Sequence, residues 1–128
     1  MTSEQYKATI QSWVEQAWNR GNLAMADHLY ADQYVLHGAA NDAPVRGAEG
    51  ISSYVRAYRA AFPDLHFEIT HLVAEGSTVA WRLSCQGTHL GQLLGMPPTG
   101  RTISVTATVI TRFEGDLWAE DWLNLDQL

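Results

Sequence analysis

Two carboxylates, Glu120 and Asp121, stand side by side in the run AEDWLNLD (residues 119–126), which is otherwise mostly apolar. If the run is a β-strand, successive side chains point to opposite faces, so the two acids must diverge. One face carries Leu117, Ala119, Asp121, Leu123 and Leu125; the other carries Trp118, Glu120, Trp122 and Asn124. Asp121 interrupts the aliphatic set and is therefore expected inside. Glu120 shares the opposite, Thr- and Ser-rich face with Arg82 and Arg112, where a cross-strand ion pair contributes ~0–1 kcal/mol. A bulge in these strands would invert the assignment. An unpaired buried carboxylate costs several kcal/mol, or its pKa climbs from the usual ~3.9 until it holds a proton. Such an acid inside a cavity is suited to proton transfer at carbon. The alternative is a structural Asp121 that caps backbone amides or pairs with a tyrosine or histidine.

Other side chains could share that chemistry. His37, at the end of the first expected strand, could complement Asp121 as an acid or hydrogen-bond donor, or be a rim histidine bonded to backbone. Tyr34, Tyr54 and Tyr58 could offer hydroxyls to an enolate oxygen. Tyr54 and Tyr58 are one helical turn apart, so they also fit a buried stripe. Trp81 could stack on an aromatic ligand or simply fill the core. His89 precedes a glycine-containing loop, which favours a structural bond to that loop. His66 alternates outward, His28 carries no signal, and His71 falls inward by parity, where packing is its better role. Cys85 lies in an apolar strand and reads as inert packing. The spacing contains no HExxH, paired CxxC or GxGxxG, so neither a metal nor a nucleotide cofactor is expected.

The elements that position these residues follow from periodicity. Thr2 and Gln5 can form a capping box. Tyr6, Ile10, Trp13, Val14, Ala17 and Trp18 then recur at helical spacing up to the stop signal Gly21. A short second helix is expected in LAMADHLYA, a strand in QYVLHG, and a third helix in GAEGISSYVRAYRAAF, ended by Pro63. From Leu65 the period becomes two. Leu65, Phe67, Ile69 and Val73 alternate with polar residues, as do Val79, Trp81, Leu83 and Cys85. Ile103, Val105, Ala107 and Val109 continue the pattern after the loop LGQLLGMPPTG. The runs EGS and EGD are tight turns. Helices followed by a four-strand meander make an α+β domain: three helices on one face of a curved, mostly antiparallel sheet, with a pocket between.

Composition sets limits on function. The 128 residues form one domain long enough for a core, with five Trp and five Tyr. A net charge of −6 without a basic cluster argues against nucleic acid or an anionic membrane as partner. The single cysteine permits no intrachain disulfide and suits a reducing, cytoplasmic setting. The polar N-terminus shows no signal peptide, and no apolar run approaches the ~20 residues of a membrane helix. Trp118 and Trp122, both expected on the outer face, suggest that a second subunit covers them in a homodimer.

Several stretches together resemble the SnoaL-like polyketide cyclases of the NTF2-like superfamily. They are AFPDLHFEI, GTHLGQLLGMPPTGR, TRFEGDL and EDWLNLD, with HG after the first strand and GAEGI opening the third helix. The resemblance covers nearly the whole chain and implies a cone-shaped domain with a deep apolar pocket, and a homodimer. It implies intramolecular aldol ring closure of a polyketide without metal or cofactor, with Asp121 taking a proton from carbon and Trp122 following it. His37 and His89 match the family pattern. One residue departs from it: a histidine that acts with the aspartate in anthracycline cyclases has Val109 at its position here. Relatives also continue past LDQL with another short segment, so a short or shortened member is expected. The expected function is thus a cofactor-independent cyclase acting on an apolar carbonyl compound. Its alternatives are an epoxide hydrolase or isomerase of the same fold, or a small-molecule binder, because fold alone does not fix the reaction.

Overall fold

The computed structural model describes residues 1–39, 43–93 and 95–126. Helix α1 spans Ser3–Trp13 and begins as its sequence dictates: the Thr2 hydroxyl accepts from the Gln5 amide, and the Gln5 side chain accepts from the Thr2 amide. The expected α-helix does not run unbroken to Gly21. Val14–Asn19 is a π-helical segment, wider by one residue per turn. Its end is fastened from two sides. Arg59 donates to the carbonyls of Trp18 and Asn19, and the Asn19 amide exchanges two hydrogen bonds with the Phe67 backbone on an edge strand. The second helix is only one turn, α2 (Ala26–Leu29), because the chain becomes extended at Tyr30.

Strand β1 (Tyr30–His37) pairs with the two-residue β2 (Val45–Arg46), and α3 (Gly47–Ala61) follows. Strands β3 (His66–Glu75), β4 (Thr78–Thr88), β5 (Thr102–Glu114) and β6 (Leu117–Leu125) form the expected meander. The sheet does not stop at four strands. β1 lies parallel beside β6, giving the order β2-β1-β6-β5-β4-β3. The result is an α+β domain in which the helices cover one face of a six-stranded, mostly antiparallel sheet. Gly38 makes the β1–β6 approach possible: its φ is +97°, and a Cβ there would sit 2.2 Å from the Leu123 carbonyl oxygen. Among the described residues, no helix is long and apolar enough to cross a membrane.

Bulges in β3 and β6 correct the simple alternation. In β3, Thr70 is an extra residue between the pairs Ile69–Leu83 and His71–Arg82. From there the parity reverses, so Leu72 turns toward the core while His71 and Val73 face solvent. In β6, Ala119 is extra between the pairs Phe113–Trp118 and Arg112–Glu120. Leu117 is consequently exposed and Trp118 buried, the reverse of the sequence expectation, while Asp121 and Leu123 keep their inward face.

Candidate active site

The β6 bulge creates the site. Trp118 and Asp121 are three residues apart and would point to opposite faces of a regular strand; with Ala119 bulged, both point inward. Trp118 Nε1–H then donates to Asp121 Oδ1 at 2.9 Å. From β5, Thr111 stands directly opposite Asp121 in the register, and its hydroxyl donates to the same oxygen at 2.5 Å. The Thr111 oxygen accepts in turn from Trp81 Nε1–H on β4, at 2.9 Å. From β1, the Tyr34 hydroxyl donates to Asp121 Oδ2 at 2.6 Å. Four strands therefore converge on one carboxylate that is only 4% exposed.

Two opposed influences set the acidity of Asp121. Burial disfavours the charged form, and the donors from Thr111, Tyr34 and Trp118 favour it. Burial prevails, and the carboxyl is raised from 3.8 to about 6. Such a group is mostly ionised at neutral pH, yet its conjugate acid can readily return a proton. Tyr34 itself stays a phenol, because burial and the adjacent Asp121 charge push its pKa well up. Replacing Tyr34 with Phe removes one of three charge-assisted donors. The midpoint of Asp121, followed by carboxyl NMR, is expected to rise by about one pH unit in Tyr34→Phe.

Asp121 opens onto a cavity of about 520 Å³ between the sheet and α3. Among the described residues it is the only carboxylate in the wall. The rest is aromatic and aliphatic, and Trp81, Tyr34, Tyr54, Tyr58 and Val109 all contribute to it. Tyr54 and Tyr58 form one side, with ring centroids 4.9 Å apart, and Trp18 packs edge-on against Tyr54 at 5.8 Å. Cys85 is also in the wall, and burial pushes its thiol up to about 11, consistent with inert packing.

Three expected site residues are not brought to the cavity. His37 lies on the outer face of β1, where Nε2 is 2.7 Å from Glu120 Oε2 and the ring stacks on Trp122. The parallel register explains this: Leu36 pairs with Asp121, while His37 pairs with Trp122. Trp122 is accordingly outside and 39% exposed. Glu120 also meets Arg112 at 3.2 Å on this face, the ion pair expected from alternation; bonds from His37 and Arg112 hold its carboxyl below the usual range. His89 is buried beside Phe62 rather than in the cavity wall. Nδ1 is 3.1 Å from the Thr99 hydroxyl, and the backbone bonds to Arg101 and Gly100 close its loop.

Sequence reasoning missed Thr111 and Trp118. Thr111 continues the inward series of β5 and could have been found by extending the alternation two residues past Val109. Trp118 could not, because its orientation depends on the bulge.

The six-stranded sheet with helices on one face is an NTF2-like fold, and its cavity holds one buried, donor-braced aspartate. The chain matches the SnoaL-like polyketide cyclases over residues 8–128 and belongs to that family. It is 32% identical over 91 residues to the aklanonic acid methyl ester cyclase DauD of Streptomyces sp. (strain C5). That match covers 70% of this chain but only 56% of DauD, little more than half its length. IdmH from Streptomyces antibioticus superposes with a TM-score of 0.78 at 32% identity, covering 95% of this chain and 92% of IdmH. A protein from Catenulispora acidiphila with a ketosteroid isomerase-like fold, 21% identical, shares the fold with a TM-score of 0.74 over 90% of this chain and 82% of its own.

Proposed function

We propose that this protein is a cofactor-independent cyclase that closes a ring in an apolar, carbonyl-bearing, polyketide-like molecule. The observation that carries the reading is Asp121: one buried carboxylate in the wall of a mostly apolar cavity, raised to about 6 and braced by three donors. DauD, by its name, is a cyclase of aklanonic acid methyl ester, which supports the same reaction class here. In the proposed step Asp121 removes a proton from a carbon beside a carbonyl. The C–H electron pair moves onto the carbonyl oxygen as an enolate. That carbon then attacks a second carbonyl of the same molecule, forming the C–C bond. The new alkoxide takes back the proton from Asp121, so no external oxidant, reductant or cofactor is consumed.

Val109 lines the cavity with an aliphatic wall where the resemblance expects a histidine, so Asp121 must serve as both base and acid. This places its acidity near neutrality at the centre of the account. Ring-closure kcat/KM is expected to rise with pH through a single limb near 6 and to level off above it. A profile flat from about pH 5 to pH 8 would contradict a titrating Asp121.

The proposed homodimer rests on less apolar surface than the sequence suggested. Trp118 has turned inward, and the exposed apolar residues of the outer face include Trp122 and, in the same cross-strand row, Ile110 and Val73.

A further inference from the structure

We propose that the Tyr30 hydroxyl is the donor that receives the enolate oxygen, a catalytic contact beyond the aspartate itself. This inference rests on the acid/base reading of Asp121. Asp121 has already consumed the donors nearest to it. Thr111, Tyr34 and Trp118 all donate to its carboxylate, and Trp81 donates to Thr111. Those four donors are committed before any substrate enters. A developing enolate next to Asp121 is stabilised beyond its own conjugation by a preorganised N–H or O–H that is not already committed.

Tyr30 is placed to supply it. It lines the cavity and is 3% exposed, and its hydroxyl is not among the three donors on Asp121 or otherwise bonded to a described residue. Its ring is locked against the residues that hold Asp121: edge-on to Tyr34 at 4.5 Å and stacked on Trp118 at 5.0 Å, with Trp13 edge-on at 5.1 Å behind it. Among the described residues His89 Nε2 is the only fully enclosed side-chain polar atom without a partner, so the unbonded Tyr30 hydroxyl is open to the cavity rather than sealed in the core. A pocket-facing phenol fixed in orientation gives a substrate oxygen a donor at little ordering cost. Burial, and then the Asp121 charge, drive the Tyr30 pKa well above its ordinary value, so the group remains a donor throughout the working range. Tyr54 and Tyr58 also line the cavity, but they rise from α3 rather than from the cluster around Asp121. They suit the remainder of the substrate better than its enolising end.

The test uses β-naphthol as a stable, planar enol mimic, naphthalene as the same shape without oxygen, and β-tetralone for proton exchange. Binding is read from tryptophan fluorescence, and exchange of α-hydrogens in D2O from proton NMR. Tyr30→Phe keeps the ring and its stacking. It is expected to weaken β-naphthol about tenfold and leave naphthalene unchanged, while β-tetralone exchange falls about 10²-fold with the limb near 6 retained. Unchanged naphthol affinity and exchange in Tyr30→Phe would overturn the assignment. So would a profile that only moves upward in pH and recovers its full plateau, which would make Tyr30 another support for Asp121. Loss of exchange in Asp121→Asn with full exchange in Tyr30→Phe would remove the Tyr30 contact alone. Full exchange in Asp121→Asn would remove the underlying reading and the Tyr30 contact with it.

Discussion

Asp121→Asn is expected to lower kcat for ring closure by about 10²–10⁴-fold, the usual contribution of a positioned general acid or base. The substitution isolates basicity from shape. The Asn carbonyl oxygen can occupy the Oδ1 position, accepting from Thr111 and Trp118, while its NH2 faces the Tyr34 oxygen, which can accept. Asn is close in volume to Asp, so the cavity wall and the β5–β6 register are retained. Substrate affinity should change little. A variant with intact affinity and near-wild-type kcat would show that Asp121 holds the fold rather than moving protons.

The same substitution should have an opposite effect on stability, and the sign depends on pH. The Asp121 carboxyl is raised on folding from 3.8 to about 6. Between those values the folded protein holds a proton that the unfolded chain releases, so wild-type stability falls as pH rises through the window. Below it, Asp121 is protonated in both states and contributes no penalty. Above it, the ionised group costs about 3 kcal/mol relative to its protonated form. Asn does not titrate. The stability of Asp121→Asn relative to wild type should therefore increase by about 3 kcal/mol between about pH 3 and pH 7, measured by urea unfolding at each pH. A constant difference across that range would mean that Asp121 is not the buried, raised acid of the fold. Higher stability with lower activity is the expected trade at a catalytic group.

How far the sequence disclosed this site depends on the residue. Asp121 was legible because alternation in β6 holds locally from Asp121 onward, and an aliphatic face makes one carboxylate conspicuous. The aromatic wall was legible too, since Trp81 and Val109 lie on long, regular β4 and β5, and Tyr54 and Tyr58 follow the helical stripe of α3. Trp118 was not, because one extra residue at Ala119 leaves no trace in composition yet reverses the faces on one side of it. The Thr70 bulge hid the solvent exposure of His71 in the same way. The π-helical segment was hidden for a different reason. Its buried Val14, Ala17 and Trp18 also satisfy an α-helical stripe, and the tertiary bonds of Arg59 and Asn19 that fasten its end join segments distant in sequence. His37 was misplaced because its side depends on the parallel β1–β6 register, a pairing between distant segments that local alternation does not encode.

The central claim is that Asp121 moves a proton between carbon and itself inside the cavity. Solvent exchange tests it before any ring is closed. β-Tetralone incubated in D2O with the protein, at about pH 7.5, should exchange its α-hydrogens with a saturable, protein-dependent rate, and Asp121→Asn should reduce that rate by at least about 10²-fold. Equal exchange rates in the two proteins, at matched occupancy of the cavity, would contradict the claim.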